Sequence, residues 1–200
     1  MKILSHAFAR PAALITLLLA AGAAQAHTGH GTTGLSDGLA HPMGLDHLLA
    51  IVAVGIWSVS ALPAHKAWWG PATFLLSMML SAALGNLGVS LPYLEQTISL
   101  SVVLFGVMLA LTRVKLPTAL GLGLVALAAS LHGLAHGIEA PTTGFAGYAA
   151  GFLATTAALH FGGITAGLGV RRYLAQKSTW ALAGLGTLFG GSGVYLFSQL

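Results

Sequence analysis

The stretch LPTALGLGLVALAASLHGLAHGI, residues 116–138, decides the fold class of this chain. It contains no Asp, Glu, Lys or Arg, and most of its residues are apolar. A helix needs about 20 mostly apolar residues to cross the hydrocarbon core of a bilayer. The stretch is therefore long enough and apolar enough to form a membrane-spanning helix.

The composition of the whole chain agrees with a membrane protein. Of the 200 residues, 56% are hydrophobic and 6% are charged, whereas about 25% are charged in a typical soluble domain. The mean hydropathy is +0.86. The absence of cysteine excludes disulfides and thiolate metal sites. The Lys and Arg residues are scattered between long apolar runs, so the net charge of +4 does not indicate nucleic-acid binding.

Five further apolar stretches bring the number of predicted spans to six. The gaps between them are short and carry proline, polar or charged residues, so consecutive spans are expected to run antiparallel. We therefore predict an all-α membrane protein built as a six-helix transmembrane bundle. The predicted spans are residues 39–60, 67–89, 95–112, 116–138, 144–169 and 179–198.

The beginning of the chain has the pattern of a secretory signal peptide. Lys2 and Arg10 supply the positive charge, and a short apolar run follows them. Ala24-Gln25-Ala26 is a small-x-small cleavage site. We predict a cleaved signal peptide over residues 1–26 and a six-helix membrane domain over residues 27–200. An uncleaved first helix is the alternative.

Charged residues divide between the two sides of the predicted bundle. Every Lys and Arg after residue 26 follows span one, three or five, whereas every Asp and Glu lies at the opposite ends. Basic loops stay in the cytoplasm, so we expect a multi-pass inner-membrane protein with both termini periplasmic. Its outer mouth would then be acidic and would attract cations. The basic residues are Lys66, Arg113, Lys115, Arg171, Arg172 and Lys177, and the acidic ones are Asp37, Asp46, Glu95 and Glu139.

The first group of candidate site residues is HPMGLDH, from His41 to His47, at the outer start of span one. Imidazole and carboxylate are ligands for borderline divalent ions such as Ni²⁺, Co²⁺ and Zn²⁺. Asp46 and His47 point about 100° apart on a helix, so one can bind a metal while the other orients a ligand. Pro42 and Gly44 predict an irregular first turn that brings His41 towards His47. The alternative is a helix cap with an interfacial histidine.

The second group is His132, His136 and Glu139, near the outer end of span four. The two histidines are four residues apart and share a helix face, which Glu139 continues. Ionisable groups inside spans are costly and usually functional. Because span one begins and span four ends on the outer side, the two groups can share one metal ion. The alternative is a pair of histidines that bond across helices for packing alone.

Four further residues are weaker candidates. His160 in span five lies near the midplane and could be a relay or secondary metal site, although a lone histidine is more often a structural hydrogen-bonding group. Asn86 in span two could donate a carbonyl oxygen at the outer level, although a structural role is favoured. His27 and His30 lie on the mature outer tail, where they would either capture metal or be hydrated.

Both motifs resemble those of the HupE/UreJ family of nickel and cobalt permeases. The family's second motif begins with an aromatic residue, which is Leu131 in this chain. The likeness covers nearly the whole chain and implies a secondary inner-membrane transporter of Ni²⁺ or Co²⁺ that supplies hydrogenase or urease maturation. The matching residues are His41, Pro42, Gly44, Asp46 and His47 in the first motif and His132, Gly133, Ala135, His136, Gly137 and Glu139 in the second.

The residues themselves predict a membrane bundle with a His/carboxylate site for a divalent metal and no prosthetic group. No phosphate-binding loop for ATP hydrolysis occurs in the sequence. We therefore predict a non-enzyme whose partners are a divalent metal ion and the bilayer, with the oligomeric state open and a homo-oligomer included. The alternatives are an intramembrane zinc hydrolase, for which no separate general base is evident, and a membrane protein that binds metal without transporting it.

Overall fold

The computed structural model describes residues 34–141 and 143–200. Within these ranges all regular secondary structure is helical, which confirms the all-α class. The predicted signal peptide, His27 and His30 lie outside the described residues. The α-helices are α1 (Leu35–Ala40), α2 (Leu45–Ala61), α3 (Trp69–Asn86), α4 (Leu94–Ala110), α5 (Thr118–Ile138), α6 (Phe145–Leu174) and α7 (Ser178–Ser198), with 3-10 turns at His41–Met43, Ala64–Lys66 and Ala175–Lys177.

Helices α2 to α7 overlap the six predicted spans in order. By length and apolarity alone, three helical stretches can cross a membrane, and the bent pair of α1 and α2 makes a fourth if it is one span. The third stretch contains both α6 and α7, which Ala175 separates with a left-handed φ of 35°. Helix α4 is apolar but shorter. Six crossings therefore remain a prediction. The three stretches are Ala64–Asn86, Thr118–Ile138 and Phe145–Ser198.

The first predicted span is not one straight helix. Helix α1 ends at Ala40, a 3-10 turn follows, and α2 begins at Leu45 after a bend of 77°. Pro42 has no N–H group to continue the helical hydrogen bonds, and Gly44 takes an extended ψ of 140°. This is the irregular turn that the two residues predicted.

Glycine residues let three pairs of helices approach backbone to backbone. A Cβ atom on Gly163 of α6 would lie 2.5 Å from a carbonyl oxygen of α2. A Cβ atom on Gly137 of α5 would lie even closer to the carbonyl oxygen of Ala82 in α3, and one on Gly186 of α7 would lie close to that of Gly106 in α4. Small residues at such contacts are typical of helix packing in lipid.

The contacts between paired helices also fix their relative directions. Helices α2 and α6 run parallel, as do α3 and α5, whereas α4 and α7 run antiparallel. These are the directions that six alternating crossings would require. The close pairs that set them are Val52 with Gly163 and Ile56 with Gly167 for α2 and α6, Met78 with Gly133 and Ala82 with Gly137 for α3 and α5, and Ala110 with Gly186 and Val103 with Gly193 for α4 and α7.

The neighbouring residues Gly162 and Gly163 allow a matched test of this packing. A valine at position 163 would meet the backbone of α2, which cannot move aside as a side chain can. We expect Gly163→Val to destabilise the protein by about 3 kcal/mol, at the upper end for overpacking. Gly162→Val should unfold like the wild type because a Cβ there has no neighbour within 4 Å. Thermal unfolding of both variants in detergent measures the difference, and equal midpoints would contradict the packing.

Candidate metal centre

Four histidine side chains from the two sequence motifs meet at one end of the bundle. His47 of α2 lies 4.5 Å from His132 and 4.6 Å from His136 of α5, measured between ring centroids. His41 of the 3-10 turn lies 4.5 Å from His136 and 6.2 Å from His47. We call these four residues the histidine cluster. The structure therefore brings the histidines of the two motifs side by side.

The local sequence explains how each element delivers its histidines. The turn and bend at Pro42 fold His41 back over the start of α2. On α5, Gly133 and Gly137 flank the histidines and let the helix press against α3. The whole histidine side of α5 is thereby buried, with His132 fully inaccessible to solvent.

Asp46 orients His47. Its Oδ1 atom accepts from the backbone N–H of His47 at 2.8 Å and lies 3.0 Å from Nδ1 of the same residue. Since a carboxylate only accepts hydrogen bonds, Nδ1 carries the proton. In the neutral ring the lone pair is then on Nε2, which is buried and has no hydrogen-bond partner within the described ranges. Asp46 thus holds the ring of His47 through these two contacts.

Ser101 of α4 orients His132 in the same way. Its hydroxyl lies 2.6 Å from the carbonyl oxygen of Ile98 and 2.8 Å from Nε2 of His132. The hydroxyl has one proton. It donates this proton to the Ile98 carbonyl oxygen, because a carbonyl oxygen can only accept a hydrogen bond. Nε2 of His132 must then donate to Ser101, and the lone pair is on Nδ1, which is also buried without a partner in the described part of the chain.

His136 lies between His41 and His47 and is held by packing alone. Its ring stacks on Phe152 of α6 at 4.9 Å with an interplanar angle of 7°. Neither ring nitrogen has a hydrogen-bond partner among the described residues, although both are buried. Tyr148, one turn earlier on α6, contacts the edge of His41 at 5.4 Å. Helix α6 therefore forms an aromatic wall of the cluster.

Two glutamates lie near the cluster. Glu139, at the end of α5, lies 3.3 Å from Nε2 of His41 and is partly exposed. Glu95, in the first turn of α4, and Glu139 both interact electrostatically with His47. At the opposite end of α2, Arg171 donates to the Val59 carbonyl. Acidic and basic side chains thus lie at opposite ends of the bundle, as the sequence predicted.

The histidine rings contact each other directly instead of surrounding a space. Within the described residues, no group of three or more His, Asp or Glu side chains has the geometry of a preformed metal site. A first-row metal ion needs nitrogen ligands at about 2.0–2.1 Å. Binding an ion therefore requires the rings of the cluster to rotate apart.

The weaker candidates lie outside the cluster. His160 is buried deeper along α6, where its ring lies 5.0 Å from Phe74. Asn86 is the last residue of α3 and is exposed. The sequence did not identify Ser101, Phe152 or Tyr148, because an isolated serine or aromatic residue in an apolar helix is typical of packing.

The fold and the site together define the class of protein. It is a helical protein with apolar helices of membrane-spanning length and a buried histidine cluster close to acidic residues. The family model described as HupE / UreJ protein matches residues 15–196, and the chain belongs to this family of membrane proteins. It is 45% identical over 156 residues to Protein HupE of Rhizobium leguminosarum bv. viciae, covering 75% of this chain and 81% of that protein. No solved structure matches the chain.

HupE/UreJ proteins are metal transporters or accessory proteins and not enzymes. The prediction of a non-enzyme is thereby confirmed, and the intramembrane hydrolase is no longer a candidate.

Proposed function

We propose that this protein is a secondary transporter that carries Ni²⁺ or Co²⁺ across the bacterial inner membrane into the cytoplasm. The observation that carries the proposal is the histidine cluster, in which three buried imidazoles each have a ring nitrogen without a partner in the described residues. Imidazole nitrogen suits Ni²⁺ and Co²⁺, whereas Mg²⁺ and Ca²⁺ prefer oxygen ligands.

The charge distribution supports inward transport. We place the acidic end with the histidine cluster in the periplasm and the basic end in the cytoplasm, because basic loops stay on the cytoplasmic side. Both termini of the mature chain are then periplasmic. A divalent cation that crosses towards the negative side gains about 4.6 kcal/mol per 100 mV. This gain can drive uptake without ATP or a coupled proton.

The metal ligands that we propose are His41, His47, His132 and His136. Glu139 and Asp46 complete the site by holding His41 and His47, and either carboxylate can bind the ion after the rings rotate. The supply of hydrogenase or urease with this metal is part of the proposal and rests on family membership alone.

Flux through the purified protein in liposomes tests the proposal. With an inside-negative potential set by potassium and valinomycin, we expect saturable Ni²⁺ entry that tenfold excess Co²⁺ inhibits and tenfold excess Mg²⁺ does not. Collapsing the potential should slow entry, because two charges cross with each ion. Tight Ni²⁺ binding without any flux would show instead that the protein binds metal without transporting it.

A further inference from the structure

One face of α6 continues inward from the histidine cluster. Tyr148, Phe152, Thr156 and His160 follow each other at intervals of four residues and therefore share this face. Each of the four is at most 2% exposed. Tyr148 and Phe152 contact the cluster, whereas His160 lies eight residues beyond Phe152, or about 12 Å deeper along the helix.

His160 has the same hydrogen-bonding arrangement as the oriented histidines of the cluster. Its Nδ1 atom lies 2.9 Å from the carbonyl oxygen of Thr156. Because a carbonyl only accepts, Nδ1 donates and the lone pair is on Nε2. That atom is buried and has no partner in the part of the chain that the structure describes. Leaving a buried polar atom unpaired costs about 1–3 kcal/mol, so packing alone does not account for it.

A second buried polar atom without a described partner lies one helical turn earlier on α6. The hydroxyl of Thr156 is fully buried and also lacks a partner among the described residues. Thr156 is one helical turn from His160 on the same face, so both groups can turn towards one ion. One imidazole nitrogen and one hydroxyl oxygen form an incomplete ligand set, in which the ion would keep some of its water.

Phe74 of α3 contacts both this position and the cluster. Its fully buried ring lies 5.9 Å from His132 and 5.0 Å from His160, between centroids. The cluster and His160 are therefore joined through a single aromatic ring. Beyond it, the buried hydroxyl of Ser58 on α2 faces Gly70, one turn of α3 further from the cluster.

We propose that His160 and Thr156 form a second binding station for a borderline divalent transition-metal ion, joined to the histidine cluster through the ring of Phe74. The order of the two stations, cluster first and His160 second, rests on the proposed direction of transport. The existence of the second station does not rest on that direction, since it concerns equilibrium binding of the ion. An ion leaving the cluster would reach His160 when the Phe74 ring moves aside.

The number of Ni²⁺ ions bound per chain tests the second station directly. We compare the full-length protein in detergent with His160→Asn by equilibrium dialysis against Ni²⁺. The asparagine amide can still donate to the Thr156 carbonyl but lacks the ε nitrogen. We expect His160→Asn to bind one ion fewer than the wild type, and the control His65→Asn, on an exposed turn, to bind the wild-type number.

An unchanged ion count in His160→Asn would overturn the second station. If that variant loses helicity, Thr156→Val replaces it, because valine has nearly the same shape as threonine and removes only the hydroxyl. Thr156→Val should weaken the second Ni²⁺ binding event at least tenfold and leave the first unchanged. If both binding events are unchanged in Thr156→Val, the proposal is also overturned. Absence of Ni²⁺ flux through wild-type liposomes would contradict the transport function alone, since the ion count is measured without flux.

Discussion

His136→Ala is expected to reduce Ni²⁺ uptake by at least about 100-fold, because loss of an outer-shell partner alone costs about 10- to 100-fold. His136 joins two other rings of the histidine cluster, with His41 and His47 each within 4.6 Å. Neither of its nitrogens bonds to another described residue. Its removal therefore leaves no broken hydrogen bond, and the loss should fall on metal binding more than on folding.

The comparison with His132→Ala and the double variant shows whether the cluster acts as one site. Residues that act as a unit are strongly non-additive, so the double variant should transport little worse than either single one. His65→Ala is the control, since His65 lies on an exposed turn at the basic end. Uptake by His136→Ala at more than half the wild-type rate, with equal protein in the membrane, would remove the cluster from the proposed mechanism.

Much of this cluster could be predicted because its signals are local in the sequence. The spacing of His132 and His136 places them on one helix face whatever the rest of the chain does. Pro42 and Gly44 break the helix through their own backbone properties, and the break brings His41 towards His47. The ends of α3 and α5 also fall within a few residues of the predicted spans, because apolar length is a local property too.

The remaining parts of the site depend on contacts between helices that are distant in the chain. Ser101 contacts His132 across 31 residues, and Phe74 contacts His160 across α3 and α6. Glycine is abundant in the apolar stretches, but its spacing does not tell which helices pair. The sequence around a serine or phenylalanine in an apolar stretch does not indicate which distant residue it contacts. Only the three-dimensional arrangement identifies these contacts.

Ser101 offers a test of whether hydrogen bonds outside the ligand set prepare the histidines for metal. Ser101→Ala removes the group that accepts from Nε2 of His132 and thereby fixes which ring nitrogen is protonated. The imidazole can then change tautomer or rotate, and fewer molecules present Nδ1 to the ion. We expect the apparent Ni²⁺ affinity to fall by about tenfold, the lower end for loss of an outer-shell partner.

Two further variants separate this orienting role from simple packing. Ser99→Ala removes a buried hydroxyl from the same helix, at a residue whose backbone carbonyl approaches Gly193 of α7, so it should leave Ni²⁺ affinity unchanged. Ser101→Thr keeps the hydroxyl and should restore at least half of the affinity lost in Ser101→Ala. Isothermal titration of the three purified proteins with Ni²⁺ measures these differences. If Ser101→Ala and Ser99→Ala weaken binding equally, the effect of Ser101 is one of packing and the assigned tautomer of His132 has no role in binding the ion.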